Sequence, residues 1–113
     1  MDPSESREQT LQALQEAIVK MTTSAWDLAL LGQPAGVAEQ AKAERRRLNL
    51  ARTALENAQL ADIRDQLQAN DDDLASGRQR LAGALEDIQQ VQAVLGAVSS
   101  ILGVVGRVVA LAG

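Results

Sequence analysis

Few side chains in this sequence can carry chemistry, because the chain contains no histidine and no cysteine. Histidine is the commonest general base and metal ligand, and a nucleophilic serine or threonine usually needs it as a partner. Di-metal sites in helical bundles likewise use Glu-x-x-His repeats. Remaining carboxylates such as Glu86 and Asp87 lie between apolar positions of a helical pattern, where water reaches them. We therefore expect no enzymatic activity, no cofactor and no small-molecule substrate.

An acidic run at residues 70–73, Asn-Asp-Asp-Asp, offers the oxygen ligands that calcium prefers. The run lacks the alternating ligands, the turn glycine and the final glutamate of an EF-hand. We expect instead a turn whose aspartates cap the following helix and interact favourably with its dipole. Asp71 and Asp72 are accordingly not expected to bind calcium, and no metal site is predicted.

A cationic run at residues 44–47, Glu-Arg-Arg-Arg, is the only dense cluster of positive charge. Three consecutive arginines on a helix point in three directions, so they do not form one flat patch. The interpretation that we favour is a solvated face whose charges pair with carboxylates. The alternative is a contact with an anion or a lipid headgroup.

The composition of the 113-residue chain is typical of a single helical domain. Hydrophobic residues make up 46%, and Trp26 is the only aromatic, whereas strands are rich in β-branched and aromatic side chains. The net charge of −4 argues against nucleic-acid binding, which normally requires a basic surface. The polar, acidic N-terminus does not resemble a secretory signal, which favours a cytoplasmic or membrane-peripheral location.

Apolar residues with 3-4 spacing predict three long helices, at about residues 3–31, 35–69 and 72–112. Asp2 and Pro3 can start the first helix, and Gly32 followed by Pro34 marks its end. The connections are short, so consecutive helices should be antiparallel neighbours. We therefore predict an all-α fold, an antiparallel up-down-up three-helix bundle with coiled-coil-like packing. The expected core residues are Leu14, Ile18, Leu55, Leu81, Ile88 and Leu95.

The apolar pattern behaves differently in the second and third helices. In the second helix the stripe shifts register near residue 60, which indicates a local change of winding. In the third helix the stripe continues through residues 74–112 without a slip, so one continuous helix is predicted. The alternative is that Gly96, followed by Ser99, ends one helix and begins another.

Residues 91–113 are apolar almost all round, so a helix here must be buried on every side or lie in lipid. Two neighbouring helices of the same chain would leave part of it uncovered, and soluble monomers rarely tolerate a long exposed apolar strip. We expect a second copy of the helix to cover this strip, about a two-fold axis. The expected contact residues are Val94, Val98, Ile101, Val104, Val105, Val108 and Leu111.

The alternative for residues 91–113 is insertion into a membrane. The segment has about the length of a bilayer-spanning helix, and its valines and leucines favour insertion. Arg107 and several glycines oppose it. The sequence therefore predicts a non-enzymatic structural or interaction module that forms a homo-oligomer, with membrane association as the alternative.

A second apolar row on the first helix lies off the main stripe and contains Val19, Trp26 and Leu30. The interpretation that we favour is a widened core face, because the helix is expected to be flanked by two others. The alternative is a contact patch for another chain, anchored on Trp26.

Overall fold

Within residues 1–110, which the computed structural model describes, the chain forms six α-helices and no strand. The predicted all-α class is confirmed, but the three long helices are wrong because each of them is divided in two. The helices are α1 (Pro3–Lys20), α2 (Ser24–Leu31), α3 (Val37–Asn57), α4 (Leu60–Ala69), α5 (Asp71–Leu85) and α6 (Val91–Val108).

Two threonines divide the first predicted helix. The hydroxyl of Thr22 donates to the carbonyl of Val19, and the hydroxyl of Thr23 donates to the carbonyl of Lys20, both at 2.8 Å. The Thr23 hydroxyl also accepts a hydrogen bond from the backbone N–H of Trp26 at 3.2 Å, so it caps α2. Threonine favours such local bonds at helix ends over a position in the helix interior. The chain therefore ends α1 and begins α2 at this point.

Replacing Thr23 by alanine is expected to lower the free energy of unfolding by about 0.5–2 kcal/mol, because it leaves an N–H of α2 without its cap. Thr22→Ala is the matched control, since its hydroxyl bonds a carbonyl and caps no helix. The control should change stability by less than about 0.5 kcal/mol. Urea unfolding of both variants provides the measurement, and equal losses would contradict the capping argument.

The second predicted helix is divided where its apolar pattern changes register. Ala58 has an extended backbone, with ψ 140, and its carbonyl accepts a hydrogen bond from the Arg7 side chain of α1 at 2.9 Å. The register shift in the sequence thus marks a true interruption.

The start of the second predicted helix also differs, because α3 begins at Val37 rather than at residue 35. Gly36 precedes it with φ 92, a conformation that glycine adopts readily and other residues do not.

The predicted continuous helix over residues 72–112 is wrong, because a turn at residues 86–90 folds α6 back against α5. The Asp87 carboxylate accepts a hydrogen bond from the N–H of Gln89, and the Asp87 carbonyl accepts one from Gln90, each at 3.1 Å. A continuous helix would extend about 60 Å, whereas the longest dimension of the fold is 44 Å. Gly96 is not the break, since it lies inside α6.

In place of a three-helix bundle, four helices surround the core in the order α1, α3, α6 and α5. α1 and α3 are antiparallel, because Arg45 of α3 donates to the carbonyl of Met21 at 3.0 Å while Arg7 reaches the opposite end of α3. α5 and α6 are also antiparallel, and Arg107 pairs with Asp73 at 3.2 Å. α4 contacts α1, α5 and α6, and α2 packs against α3.

The predicted core is confirmed in part. Ile18 and Ile88 are only partly buried at its edge. On α1 the buried row passes through Thr10, Ala17 and Met21 instead, because this helix packs against both α3 and α5. Ile88 lies in the turn before α6. Four of the predicted residues are buried: Leu14, Leu55, Leu81 and Leu95.

Candidate functional site

The residues predicted to contact a second copy or a membrane lie on α6, and the folded subunit buries them. The prediction of an exposed apolar strip on this helix is therefore wrong for the folded subunit, because α3, α4 and α5 all cover α6. Contact with a second copy or with lipid through these side chains stays a prediction, and it requires α6 to leave its place. Leu111 lies outside the described residues. The buried side chains are Val94, Val98, Ile101, Val104, Val105 and Val108.

The face of α6 that remains toward solvent carries small or polar side chains. A β-carbon added to Gly103 would meet no atom within 4 Å, so this surface is open. A row of small residues permits the close approach of another helix but does not by itself identify a partner. The exposed positions of α6 include Gln92, Ala93, Ser99, Gly103 and Gly106.

Within the part of the chain that the structure describes, α6 is the one helix long and apolar enough to cross a membrane. It has 18 residues with a mean hydropathy of 1.7, and it extends about 27 Å, close to the thickness of the hydrocarbon core. Ten of its residues are buried, as in the central helix of a soluble bundle. Membrane association therefore stands as a proposal that rests on length and composition.

Trp26, the expected anchor of a partner patch, belongs to the core of the subunit. Its side chain is only 2% exposed and lies beside Met21 and Arg45. The interpretation as a widened core face therefore applies to this residue. Val19 is 50% exposed and Leu30 is partly buried, so only the edge of the predicted patch is open to a partner.

Leu28 and Leu31 on α2 are the most exposed large apolar side chains of the described residues, at 67% and 81%. Neither leucine was predicted to be exposed. A continuous first helix would carry Leu28 on its apolar stripe, three residues after Ala25, but α2 starts anew and turns Trp26 and Ala29 inward instead. The adjacent threonines that interrupt the helix are the signal that identifies this change.

The cationic run at residues 44–47 has no convergent arrangement. Glu44 and Arg47 pair at 3.0 Å, as predicted, but Glu44 is buried, so the run is not solvated throughout. Arg45 binds the backbone carbonyl of Met21, and Arg46 is exposed. Arg45 and Arg47 thus take part in separate contacts within the subunit. Contact of this run with an anion or a lipid headgroup stays a prediction.

The acidic run lies within α5 rather than in a turn before it. Its three aspartates occupy the first turn of α5, where they interact favourably with the helix dipole as expected. The predicted capping by aspartate is wrong, because Asn70 is the N-cap residue and its side chain makes no capping bond. Asp71 contacts the N-terminal amine of Met1 at 3.5 Å, and Asp73 pairs with Arg107. Within residues 1–110, no three acidic side chains converge as metal ligands.

A buried polar cluster lies between α1 and α5. Arg78 donates to the hydroxyl of Thr10 at 3.1 Å, and this hydroxyl donates to the carbonyl of Ser6 at 2.7 Å. Burial lowers the pKa of Arg78, and the Asp71 carboxylate acts in the opposite direction. The buried Ser6 hydroxyl has no hydrogen-bond partner among the described residues, and an arginine cannot serve as its base. The bond between Arg78 and Thr10 therefore joins α5 to α1.

Comparison with known proteins finds no matching family model, curated protein or solved structure.

Proposed function

We propose that this protein is a non-enzymatic helical interaction module that self-associates. The observation that carries the proposal is the outer face of α2, where Leu28 and Leu31 are 67% and 81% exposed. These leucines are three residues apart, so they lie on one face of the helix. Val19, a member of the predicted partner patch, is 50% exposed at the end of the preceding helix.

The outer face of α2 is held in a defined orientation. Trp26 and Ala29 fix the helix from its inner side, since both are buried, and Thr23 caps its start. The two leucines are therefore presented by a rigid element. Presentation of large apolar side chains on a fixed surface is typical of interaction sites, because their ordering requires little further conformational entropy on binding.

A second copy of the chain is the partner that this face fits best. Two α2 helices that meet about a two-fold axis would place the same leucine pair on both sides of the contact, as isologous interfaces require. Burial of each leucine is worth about 1.5–3 kcal/mol at most, and association itself costs about 4–15 kcal/mol. We therefore expect a weak dimer whose population rises with protein concentration.

The expected self-association through α6 needs a different state, because its large side chains are already buried in the subunit. The second candidate function, membrane association, needs the same release of α6. It is favoured by one observation, the length and hydropathy of α6. Both alternatives predict that assembly follows an opening of the bundle, whereas contact through α2 requires none.

The double substitution Leu28→Glu with Leu31→Glu is expected to give a monomer that retains the helical content of the native chain. Charges on both sides of the contact would repel each other, and neither leucine supports the core. Light scattering without detergent, on protein refolded at low concentration, should show the native mass rising toward a dimer with concentration while the variant stays at 12.0 kDa. Leu50→Glu is the control, because Leu50 is 41% exposed on α3.

Three outcomes would contradict this proposal. A native chain that stays monomeric at millimolar concentration has no self-association to explain. Equal loss of assembly in the Leu50→Glu control would mean that the effect is not specific to α2. A native chain that floats with lipid vesicles, or stays soluble only in detergent, would favour membrane association through α6.

A further inference from the structure

We propose that two copies of this chain can exchange α6, with the turn at residues 86–90 as the hinge. In the exchanged form, α5 and α6 join into one helix, and α6 occupies the core of the other copy. The partner is thus a second copy of the chain. This form goes beyond the proposed contact between α2 helices and does not depend on it, because it uses buried rather than exposed side chains.

The apolar pattern runs through the hinge as if no turn were there. Leu81, Ala84, Ile88, Val91 and Leu95 follow one another with 3-4 spacing across the end of α5 and the start of α6. This is the pattern of a continuous helix that packs along other helices. In the folded subunit the pattern is interrupted, and Ile88 is only partly buried. A straight helix would return Ile88 to the apolar seam.

Nothing in the backbone of the hinge excludes a helix. Residues 86–90 include neither glycine nor proline, and none of them has a positive φ. The turn is closed by local bonds to Asp87, whose carboxylate accepts from the N–H of Gln89 and whose carbonyl accepts from the N–H of Gln90, each at 3.1 Å. Straightening would replace these bonds with ordinary bonds of the α-helix. The hinge therefore has two acceptable conformations.

The contacts between α5 and α6 can all be remade between copies. Arg107 pairs with Asp73 at 3.2 Å, and a β-carbon on Gly77 would lie 3.5 Å from the β-carbon of Ile101. In an exchanged dimer each of these contacts joins α5 of one copy to α6 of the other. The monomer and the exchanged dimer thus differ in free energy only through the conformation of the hinge and the entropy of association, as in domain swapping generally.

Geometry also directs a straightened helix toward another copy. A helix from residue 71 to residue 108 would extend about 57 Å, which exceeds the 44 Å length of the folded subunit. Its final turns, which carry the valines of α6, would therefore leave their own core. Only the vacancy left by α6 in a second copy has the matching shape, because the same side chains line it.

A cysteine pair distinguishes the two forms directly, because the chain has no cysteine of its own. Gly77→Cys with Ile101→Cys places two β-carbons at 3.5 Å, within the range of a disulfide. The background is the chain with Leu28→Glu and Leu31→Glu, so that contact through α2 does not contribute. The protein is refolded from denaturant at low and at high concentration and is diluted to one concentration before oxidation.

We expect an intrachain disulfide after refolding at low concentration and a disulfide-linked dimer after refolding at high concentration, read on a non-reducing gel. Asp87→Ala should raise the dimer fraction, because it removes the bond that closes the turn and favours the helix. Gln89→Gly should lower it by about threefold per hinge, since glycine weakens a helix and tolerates a turn. An intrachain disulfide alone at every concentration, also with Asp87→Ala, would overturn the proposal.

A second measurement avoids the cysteine pair, in case Ile101→Cys prevents folding. Light scattering of the chain with only Leu28→Glu and Leu31→Glu, after refolding at high concentration, should show a dimer that persists on dilution. A monomer after both treatments would overturn the exchange. It would leave the contact through α2 untouched, because that contact is tested on the native surface at equilibrium.

Discussion

Replacing Leu81 by alanine is expected to lower the free energy of unfolding by about 2–5 kcal/mol. Leu81 is fully buried on α5, which packs against both α1 and α6. Truncation removes apolar contacts and leaves a cavity that a close-packed bundle fills only partly. Urea unfolding followed by circular dichroism, at one fixed protein concentration, measures the change.

Leu50→Ala is the matched control for the core substitution. Leu50 is 41% exposed on α3, so the same loss of side chain should lower the unfolding free energy much less, by about 1 kcal/mol or below. A loss below about half a kcal/mol for Leu81→Ala would place that residue at the surface and would contradict the packing described above. Equal losses in the two variants would do the same.

Replacing Val98 by aspartate is expected to remove at least about 4 kcal/mol of stability at pH 7. Val98 is fully buried near the middle of α6, and a carboxylate there would lose its hydration without gaining a partner. Ser99→Asp is the control, because Ser99 is the next residue and is exposed. Circular dichroism should show a folded control beside a largely unfolded variant, and two folded proteins would contradict the burial of α6.

The effect of Val98→Asp should depend on pH in a defined direction. Burial raises the pKa of the introduced carboxyl in the folded state above its value of about 3.9 in the unfolded chain. The variant is therefore most stable at a pH below the carboxyl's pKa in the unfolded chain, where the carboxyl is protonated in both states. Its free energy of unfolding falls as the pH rises through the carboxyl's pKa in the folded state. The difference in unfolding free energy between variant and native chain should shrink as the pH falls from 7 toward 4. A difference that grows on acidification would contradict a buried position.

The helical class and several helix ends were predictable because they depend on local chemistry. The Asp2 side chain caps α1, and Gly32 ends α2, as the sequence indicated. The interruption near residue 60 was visible as a shift of apolar register. Capping groups and glycine act within a few residues of their own position, so a single sequence contains what is needed to identify them.

The turn at residues 86–90 was not predictable from the same kind of pattern. A continuous 3-4 stripe specifies which face of a helix is apolar, but it does not specify whether the chain folds back. The outcome depends on where α6 finds apolar surface, and that surface comes from α5 and also from α3 and α4, which are distant in sequence. Tertiary burial therefore decided against the continuous helix, although residues 86–90 are compatible with one.

The exposure of the candidate contact residues was not predictable for a related reason. The valines of α6 were expected at the surface because a straight helix would extend beyond its neighbours. Once α6 folds back, these side chains become the core, and exposed apolar surface remains on α2 at Leu28 and Leu31. The identification of α2 required the break at Thr23, which places Trp26 inward. The interruption at Thr23, which was not recognised from the sequence, thus changed which side chains of the eight-residue helix α2 face solvent.

The two arginine contacts between α1 and α3 have a consequence for how the bundle opens. Arg7, near the start of α1, binds the carbonyl of Ala58 beyond the end of α3, and Arg45 of α3 binds the carbonyl of Met21 beyond the end of α1. Each helix therefore secures the last turn of the other. When the C-terminal end of α1 or α3 frays, it breaks the hydrogen bond from the arginine of the other helix. Local opening of one helix therefore spreads to the other. The two helices should exchange their amide hydrogens as one cooperative unit.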